Sequence, residues 1–485
     1  MMDWRTKWRA AAWAAAGAVL AGSAPAIESR QGADAVPGAH ADAVARIVDE
    51  ATTRGRSFEV LQHLTDRIGP RLTGSAGAAE AVRWTADRLR ANGLDARLEA
   101  VVVPHWVRGE ESAELTGALP RRLVVTALGG SVPTPARGIT AEVVVADGLD
   151  GLKALDAARV RGHIVLFNRP MVGGSAFQGY GKTVDQRTKG ASEAAARGAV
   201  ASIVRSVGTL DARLVHTGAV TYQEGVPRIP AAAISAEDAG LIARLSEAGA
   251  PPTIRLRLGC RILPDARSHN VVAELRGRER PDEVVLIGAH LDSWDLGSGA
   301  HDDGTGVAMV MDTLRILKTL GLVPRRTIRG VLFMNEENGL RGGKAYAADH
   351  AAELPRHVAA IETDSGGFAP EGFTANVDAE GLEALRAIAS ALAPLGATRI
   401  TAGGGGADIG EMRAARVPLM GLDVDGARYF DWHHTPADTL DKVDPGELAR
   451  STATLAAMAY MLAEMPETLP RPVPSPSPSP SPAPR

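Results

Sequence analysis

Residues 284–306 read VVLIGAHLDSWDLGSGAHDDGTG, and the change of character inside this stretch decides the fold. VVLIGAH is an unbroken apolar run of strand length, without the alternation of a strand that faces water on one side. It therefore predicts a strand covered on both faces by helices. The run stops at His290, and the polar LDSWD and a glycine-rich turn follow. Three later segments repeat the pattern: TIRGVLFM (327–334) ends in Asn335-Glu336-Glu337, HVAAIE (357–362) runs into Asp364, and VPLMGLD (417–423) precedes YFDWHHTPADT (429–439). From about Asn270 such runs alternate with helical stretches, which predicts an α/β domain with a mainly parallel central sheet flanked by helices. Ligands of such sheets bind at the carboxyl ends of the strands, and that is where the polar residues collect.

Upstream of this domain, AAEAVRWTADRLRAN (78–92) carries a helical apolar stripe closed by Gly93, and the helical pattern begins at Val44. Between about Glu111 and Leu263 the chain changes to short β-branched runs, RLVVTAL and AEVVVA, with a helix-like KGASEAAARGA before a strand-like VASIVRSV. That stretch, bounded as 111–264, predicts an insert with a small sheet of its own, so the α/β domain is discontinuous, 44–110 and 265–465. The closing RPVPSPSPSPSPAPR has no apolar surface to bury and predicts a disordered tail over 466–485.

At the other end Arg5, Lys7 and Arg9 precede an apolar run from Ala10 to Leu20 and then Ala24-Pro25-Ala26, the order of a cleavable export signal over 1–26. Residues 27–43 read as a linker or a propeptide. The expected location is periplasmic or extracellular, without a membrane anchor, since no later run has the length of a membrane helix. A net charge of -4 over 485 residues supplies no broad basic field, which argues against nucleic acid and for a peptide or small-molecule substrate. Cys260 is the single cysteine, so no intramolecular disulfide forms and a thiolate metal site is excluded; a buried, inert thiol is the expectation.

The chemistry lies in the strand-end clusters. His290 and Asp292 are two residues apart and share a face if the strand continues that far, which suits a metal ligand and an orienting carboxylate, or a structural hydrogen bond. Asp302 and Asp303 sit in a glycine-rich turn ahead of an apolar helix, where Asp303 also suits an N-cap. Glu336 and Glu337 would repel each other unpaired; a nearby cation removes that penalty and lets one bind metal while the other handles protons. Asp364, with His433 and His434, completes a set of oxygen and nitrogen donors that suits zinc in a hydrolytic site, with cobalt or manganese as substitutes. If Asp302 bridges two ions, two divalent cations meet three carboxylates and two neutral imidazoles, and the remaining positive charge favours hydroxide over water.

In order and spacing the motifs GAHLDSWD, HDDGTG, NEENG, ETDSG and HHTPADT resemble the co-catalytic zinc aminopeptidase family. Within that family the likeness extends to PHWVRGEESAEL (104–115), RTKGASEAAARGAVASIVRSV (187–207), HTGAVTYQEGVPRIPAAAISAEDA (216–239) and HHTPADTLDKVDP (433–445), so it covers nearly everything from Val44 to Met465. The resemblance implies a di-zinc exopeptidase domain interrupted by a protease-associated-type α/β insert, a homodimer, and hydrolysis of dipeptides with free termini. It implies that His290 and Asp364 hold one zinc, Glu337 and His434 the other, that Asp302 bridges them, that Glu336 is the general base and that Asp292 orients His290. It also implies a cis peptide between Asp302 and Asp303. HDDGTG and NEENG depart from the family in flanking residues, and the Gly403–Gly406 run is unusually flexible; Asp408 after it is either a pocket residue or the cap of a surface helix. An aminopeptidase on longer peptides, a glutaminyl cyclase and a non-catalytic binding protein remain as alternatives.

Overall fold

The computed structural model describes residues 40–117, 120–172 and 176–472. The expected export signal, most of the linker and residues 473–485 of the tail lie outside the described residues. Among the described residues no helix is long and apolar enough to cross a membrane.

The chain enters a first sheet with β1 (Asp95–Val107) and leaves it for β2 (Glu111–Thr116), β3 (Arg121–Leu123), β4 (Val125–Ala127), β5 (Ile139–Ala146), β6 (Ile164–Phe167), β7 (Ala201–Arg205), β8 (Ala231–Ile234) and β9 (Thr253–Leu258). It returns with β10 (Arg261–Leu275), β11 (Arg280–His290), β12 (Arg326–Phe333), β13 (His357–Glu362), β14 (Pro370–Ala375), β15 (Arg399–Ala402) and β16 (Leu419–Val424). The first sheet has the order β1-β10-β12-β11-β13-β16-β14-β15. Its middle, β12-β11-β13-β16, is parallel, while β1, β10 and β14 join antiparallel neighbours. The four apolar runs expected to be strands are these four parallel ones.

Their unbroken hydrophobicity follows from burial on both faces. Val285, Ile287 and Ala289 of β11 join one core with the helices Thr305–Thr319 and Pro445–Glu464, whereas Val284 and Leu286 join another under the helix Arg341–Asp349. The helix expected from residue 78 spans Ala76–Ala91, begun by Ser75 Oγ accepting from Ala78 N, with Gly93 at φ +76° behind its end.

The second sheet takes residues 111–258, in the order β3-β2-β9-β5-β6-β7-β8-β4. RLVVTAL, read as one strand, divides at Val124, whose N–H donates to Asp238 Oδ2 at 2.8 Å. Its halves β3 and β4 pair with β2 and β8 at opposite ends of the sheet, so one short stretch of chain joins both ends. Cys260 is buried and donates to the Ser131 carbonyl. One expectation needs correcting: residues 466–472 do not begin a disordered tail. Leu469 is 4% exposed and the Arg471 guanidinium donates to the carbonyls of Ala415 and Leu354, which anchors the segment beside the first sheet.

Candidate metal centre

The parallel strands end together, and each delivers a polar group there. His290 closes β11; its main-chain N–H donates to Asp303 Oδ2 at 3.1 Å and its Nδ1 faces the main-chain oxygen of Asp292 at 3.0 Å. A carbonyl only accepts, so Nδ1 carries the proton and Nε2 offers its lone pair. That Nε2 lies 3.1 Å from Asp302 Oδ1 and 3.5 Å from Asp364 Oδ1. On the other side His434 Nε2 lies 3.2 Å from Asp302 Oδ2 and 3.0 Å from Glu337 Oε2. The two oxygens of Asp302 thus face two separate imidazole–carboxylate pairs. The peptide between Asp302 and Asp303 is cis.

All five residues expected as ligands are therefore brought together. His433 lies farther out, its Nε2 3.6 Å from Asp302 Oδ2 and its ring stacked on His434 at 3.5 Å. Asp303 takes two jobs, holding His290 N and receiving Gly306 N at 3.1 Å as the helix Thr305–Thr319 begins. Glu336 hangs from the same turn as Glu337, after Asn335 at φ +77°.

Asp292 meets the His290 ring with its main-chain oxygen and not with its carboxylate. β11 ends at His290, so the alternation that would bring the carboxylate to the imidazole does not continue; Asp292 Oδ1 is 3.9 Å from Nδ1. Instead it accepts from the main-chain N–H groups of Asn335 at 2.7 Å and Glu336 at 3.1 Å. Asp292 orients His290 through its carbonyl and fixes the Glu336 turn through its side chain. The Gly403–Gly406 run is likewise no mere flexible loop: a Cβ on Gly406 would sit 2.2 Å from the Glu362 carboxyl carbon. Asp408 is buried and receives Gly343 N at 3.1 Å, so it neither caps a surface helix nor lines the adjoining cleft.

Several contributors left no pattern in the sequence reading. Asp438, inside the quoted HHTPADT, accepts from His301 N and Asp302 N. Arg71 is fully buried and donates to the carbonyls of Leu291, Ser298 and Gly299, which clamps the turn before Asp302. Little local marks Arg71: besides Gly69, whose carbonyl it also reaches, these partners lie more than two hundred residues away. Trp294 donates its main-chain N–H to Glu337 Oε1 at 3.1 Å.

The electrostatics describe a site with too much buried acid. Burial, with Asp302 beside it, pushes Glu337 up to about 7, and burial with the Asp302 charge does the same to Asp438. Burial and Asp364 bring Glu362 to about 7, and burial holds Glu336, Asp303 and Asp408 well above the usual carboxyl range. Burial also opposes charge on the imidazoles. Even so, Asp302 and Asp364 hold His290, and Glu337 and Asp302 hold His434, well above the usual value. Lone pairs and carboxylate oxygens this close repel unless protons or cations lie between them. Asp302 Oδ2 is buried without a hydrogen-bond donor. The donor set, oxygen and imidazole nitrogen without thiolate, fits divalent zinc.

A sheet with a parallel core that gathers imidazoles and carboxylates at its strand ends defines a metal-dependent hydrolase of the α/β class. The profile of Peptidase family M28 matches residues 270–459, and the chain belongs to that family and is a metallo-exopeptidase. It is 41% identical to carboxypeptidase Q of Mus musculus over 421 residues, 86% of this chain and 88% of that protein. A crystal structure of a peptidase M28 precursor from Shewanella amazonensis superposes with a TM-score of 0.88 at 39% identity, covering 90% of this chain and all of that one. The zinc aminopeptidase BSAP of Bacillus subtilis shares the fold, with a TM-score of 0.61 at 21% identity over 84% of this chain and 94% of its own.

Proposed function

We propose that the chain is an exported di-zinc exopeptidase that hydrolyses the peptide bond of dipeptides with free termini. The carrying observation is the divided environment of Asp302, one oxygen toward His290 and Asp364 and the other toward His434 and Glu337. On this reading His290 and Asp364 hold one ion, Glu337 and His434 the other, and Asp302 both; cobalt or manganese would substitute. The ions supply Lewis-acid polarisation of the scissile carbonyl and of the attacking water. Glu336 takes the proton from that water and returns it to the leaving amine. Asp292 keeps the Glu336 turn in place through the two N–H groups it accepts.

A cleft of about 1100 Å³ opens beside Asp364, with Glu362 and Asp364 among its lining residues. The domain division 44–110 with 265–465, and 111–264 as a protease-associated-like unit, belongs to the same reading, as does a homodimer. The segment 1–26 supplies the export signal.

The second reading, an aminopeptidase on longer peptides, is favoured by the cleft volume, which exceeds what a dipeptide fills. Hydrolysis of a panel of dipeptides and tripeptides, with chelation and zinc add-back, separates the two. Zinc-restored cleavage confined to dipeptides supports the first reading. Equal cleavage of tripeptides moves the assignment to the second, and no cleavage by zinc-loaded protein rejects both.

A further inference from the structure

The loop that carries His434 is held by the second sheet as well as by its own, where Asp438 accepts from His301 N and Asp302 N. Thr217 N donates to the His434 carbonyl at 2.9 Å. His216 Nδ1 lies 2.8 Å from the His433 carbonyl, which only accepts, so this imidazole donates there. His434 Nδ1 in turn faces the Thr217 carbonyl at 3.3 Å. By the same logic Nδ1 of His434 carries the proton, and Nε2 is left with its lone pair toward Asp302 and Glu337. Arg187 Nη1 lies 3.3 Å from the Thr217 carbonyl and 3.5 Å from His434 Nδ1. Two donors cannot bond each other, so the carbonyl receives both.

The surrounding sequence is shaped to admit these groups. A Cβ on Gly208 would lie 2.2 Å from His216 Cε1, and one on Gly218 would lie 2.3 Å from Arg187 Cζ, with Gly218 itself at φ +135°. Tyr180 stacks on Phe430 at 4.7 Å and accepts from Arg187 Nη2 at 2.7 Å, and Thr209 N donates to the Phe430 carbonyl. His434 adopts φ +63°, a conformation rare for a residue with a side chain, so its loop needs external support to stay there.

We infer that the second-sheet unit is part of the metal centre: His216, Thr217 and Arg187 are positioning residues that fix the tautomer and ring direction of His434. This rests on the reading of His434 as a metal ligand. The consequence is that the unit between residues 111 and 264 is no detachable accessory, because the imidazole it orients is worthless as a ligand in the other tautomer.

The test uses the full chain and zinc itself, with the two zinc equivalents titrated against a chromophoric chelator. His216→Leu removes the donor to the His433 carbonyl, while His216→Asn keeps a donor near the place of Nδ1 in a shorter side chain. One zinc equivalent should weaken by about 10–100-fold in the Leu variant, kcat should fall with KM little changed, and the Asn variant should recover to within about threefold. Arg187→Met, which withdraws one donor from the Thr217 carbonyl, should weaken the same equivalent and serves if His216→Leu fails to fold. Wild-type zinc binding in both variants, or equal loss in the Leu and Asn variants, overturns the inference. His434→Ala distinguishes the deeper failure: retention of both equivalents there removes the ligand reading itself, whatever the His216 variants do.

Discussion

Adjacent glutamates at the end of β12 are given different work by their neighbours. Glu337 touches His434 and receives Trp294 N, so its oxygens are committed. Glu336 is fastened, among the described residues, only by its main chain, to Asp292. Glu336→Gln should therefore keep both zinc equivalents and lose about 10²–10⁴-fold in kcat, while Asp302→Ala should lose zinc and activity together. Metal analysis beside turnover checks this, and equal zinc loss in the two variants rejects the division. Asp292 gives a sharper test, because its carboxylate fixes the Glu336 turn and its carbonyl fixes His290. Asp292→Ala should retain zinc and lose kcat by at least about tenfold; zinc loss would show that the side chain acts on His290 after all. Most of the ligand candidates were legible because they stand where an apolar run stops, as His290, Glu337 and Asp364 do. The reach of Asp292 was not, since it depends on β11 ending at His290, a fact of backbone pairing and not of spacing.

At the scale of elements, the helix Pro445–Glu464 shows how a buried charge closes a packing unit. Asp444 Oδ1 caps it through Glu447 N at 2.8 Å, and at its far end the Glu464 carboxylate, 5% exposed as a residue, pairs with Arg278 and accepts Arg325 N at 2.7 Å. Burial works against this carboxylate, but Arg278 and the Arg325 N–H outweigh it and hold its pKa below the ordinary 4.5. Glu464→Gln should destabilise by about 1–3 kcal/mol near pH 7, toward the lower end because the Arg278 side chain is 41% exposed. A depressed carboxyl contributes stability above its unfolded pKa and loses it as pH falls through the folded value. The gap between wild type and variant should therefore close in acid below about pH 4, as urea unfolding would record; a gap constant down to pH 3 would assign the loss to packing. The helix Ala76–Ala91 was readable from its apolar stripe and the four parallel strands from their unbroken apolar runs. The split of RLVVTAL was not, because Val124 leaves the ladder for Asp238, 114 residues on.

For the whole molecule, the parallel strands converge on a volume where acid outnumbers base, with the buried Arg71 as a fixed cation beneath it. Burial lowers the Arg71 pKa against the pull of Asp438 and Asp292, but not enough to remove its charge at neutral pH. Without metal, Glu337, Glu362 and Asp438 titrate near 7 in the fold, against ordinary values of 4.5, 4.5 and 3.8. On these carboxyls the folded metal-free chain holds protons that the unfolded chain has already released, so their contribution lowers stability as pH rises from about 4 to about 7, against the buried His216, His301 and His357, whose pKa values burial lowers to about 3, 4 and 4 and which work the other way. On the proposed function zinc would take the place of those protons, and since protons compete with it for the same donors, its contribution would grow over the same interval. Thermal unfolding of chelated and zinc-loaded protein between pH 5 and pH 8 should show two curves that diverge, the chelated midpoint descending while the loaded one stays level or climbs. If the chelated midpoint climbs in parallel with the loaded one, the buried carboxyls are already compensated by protein groups, and the strand ends do not need an ion to hold them together.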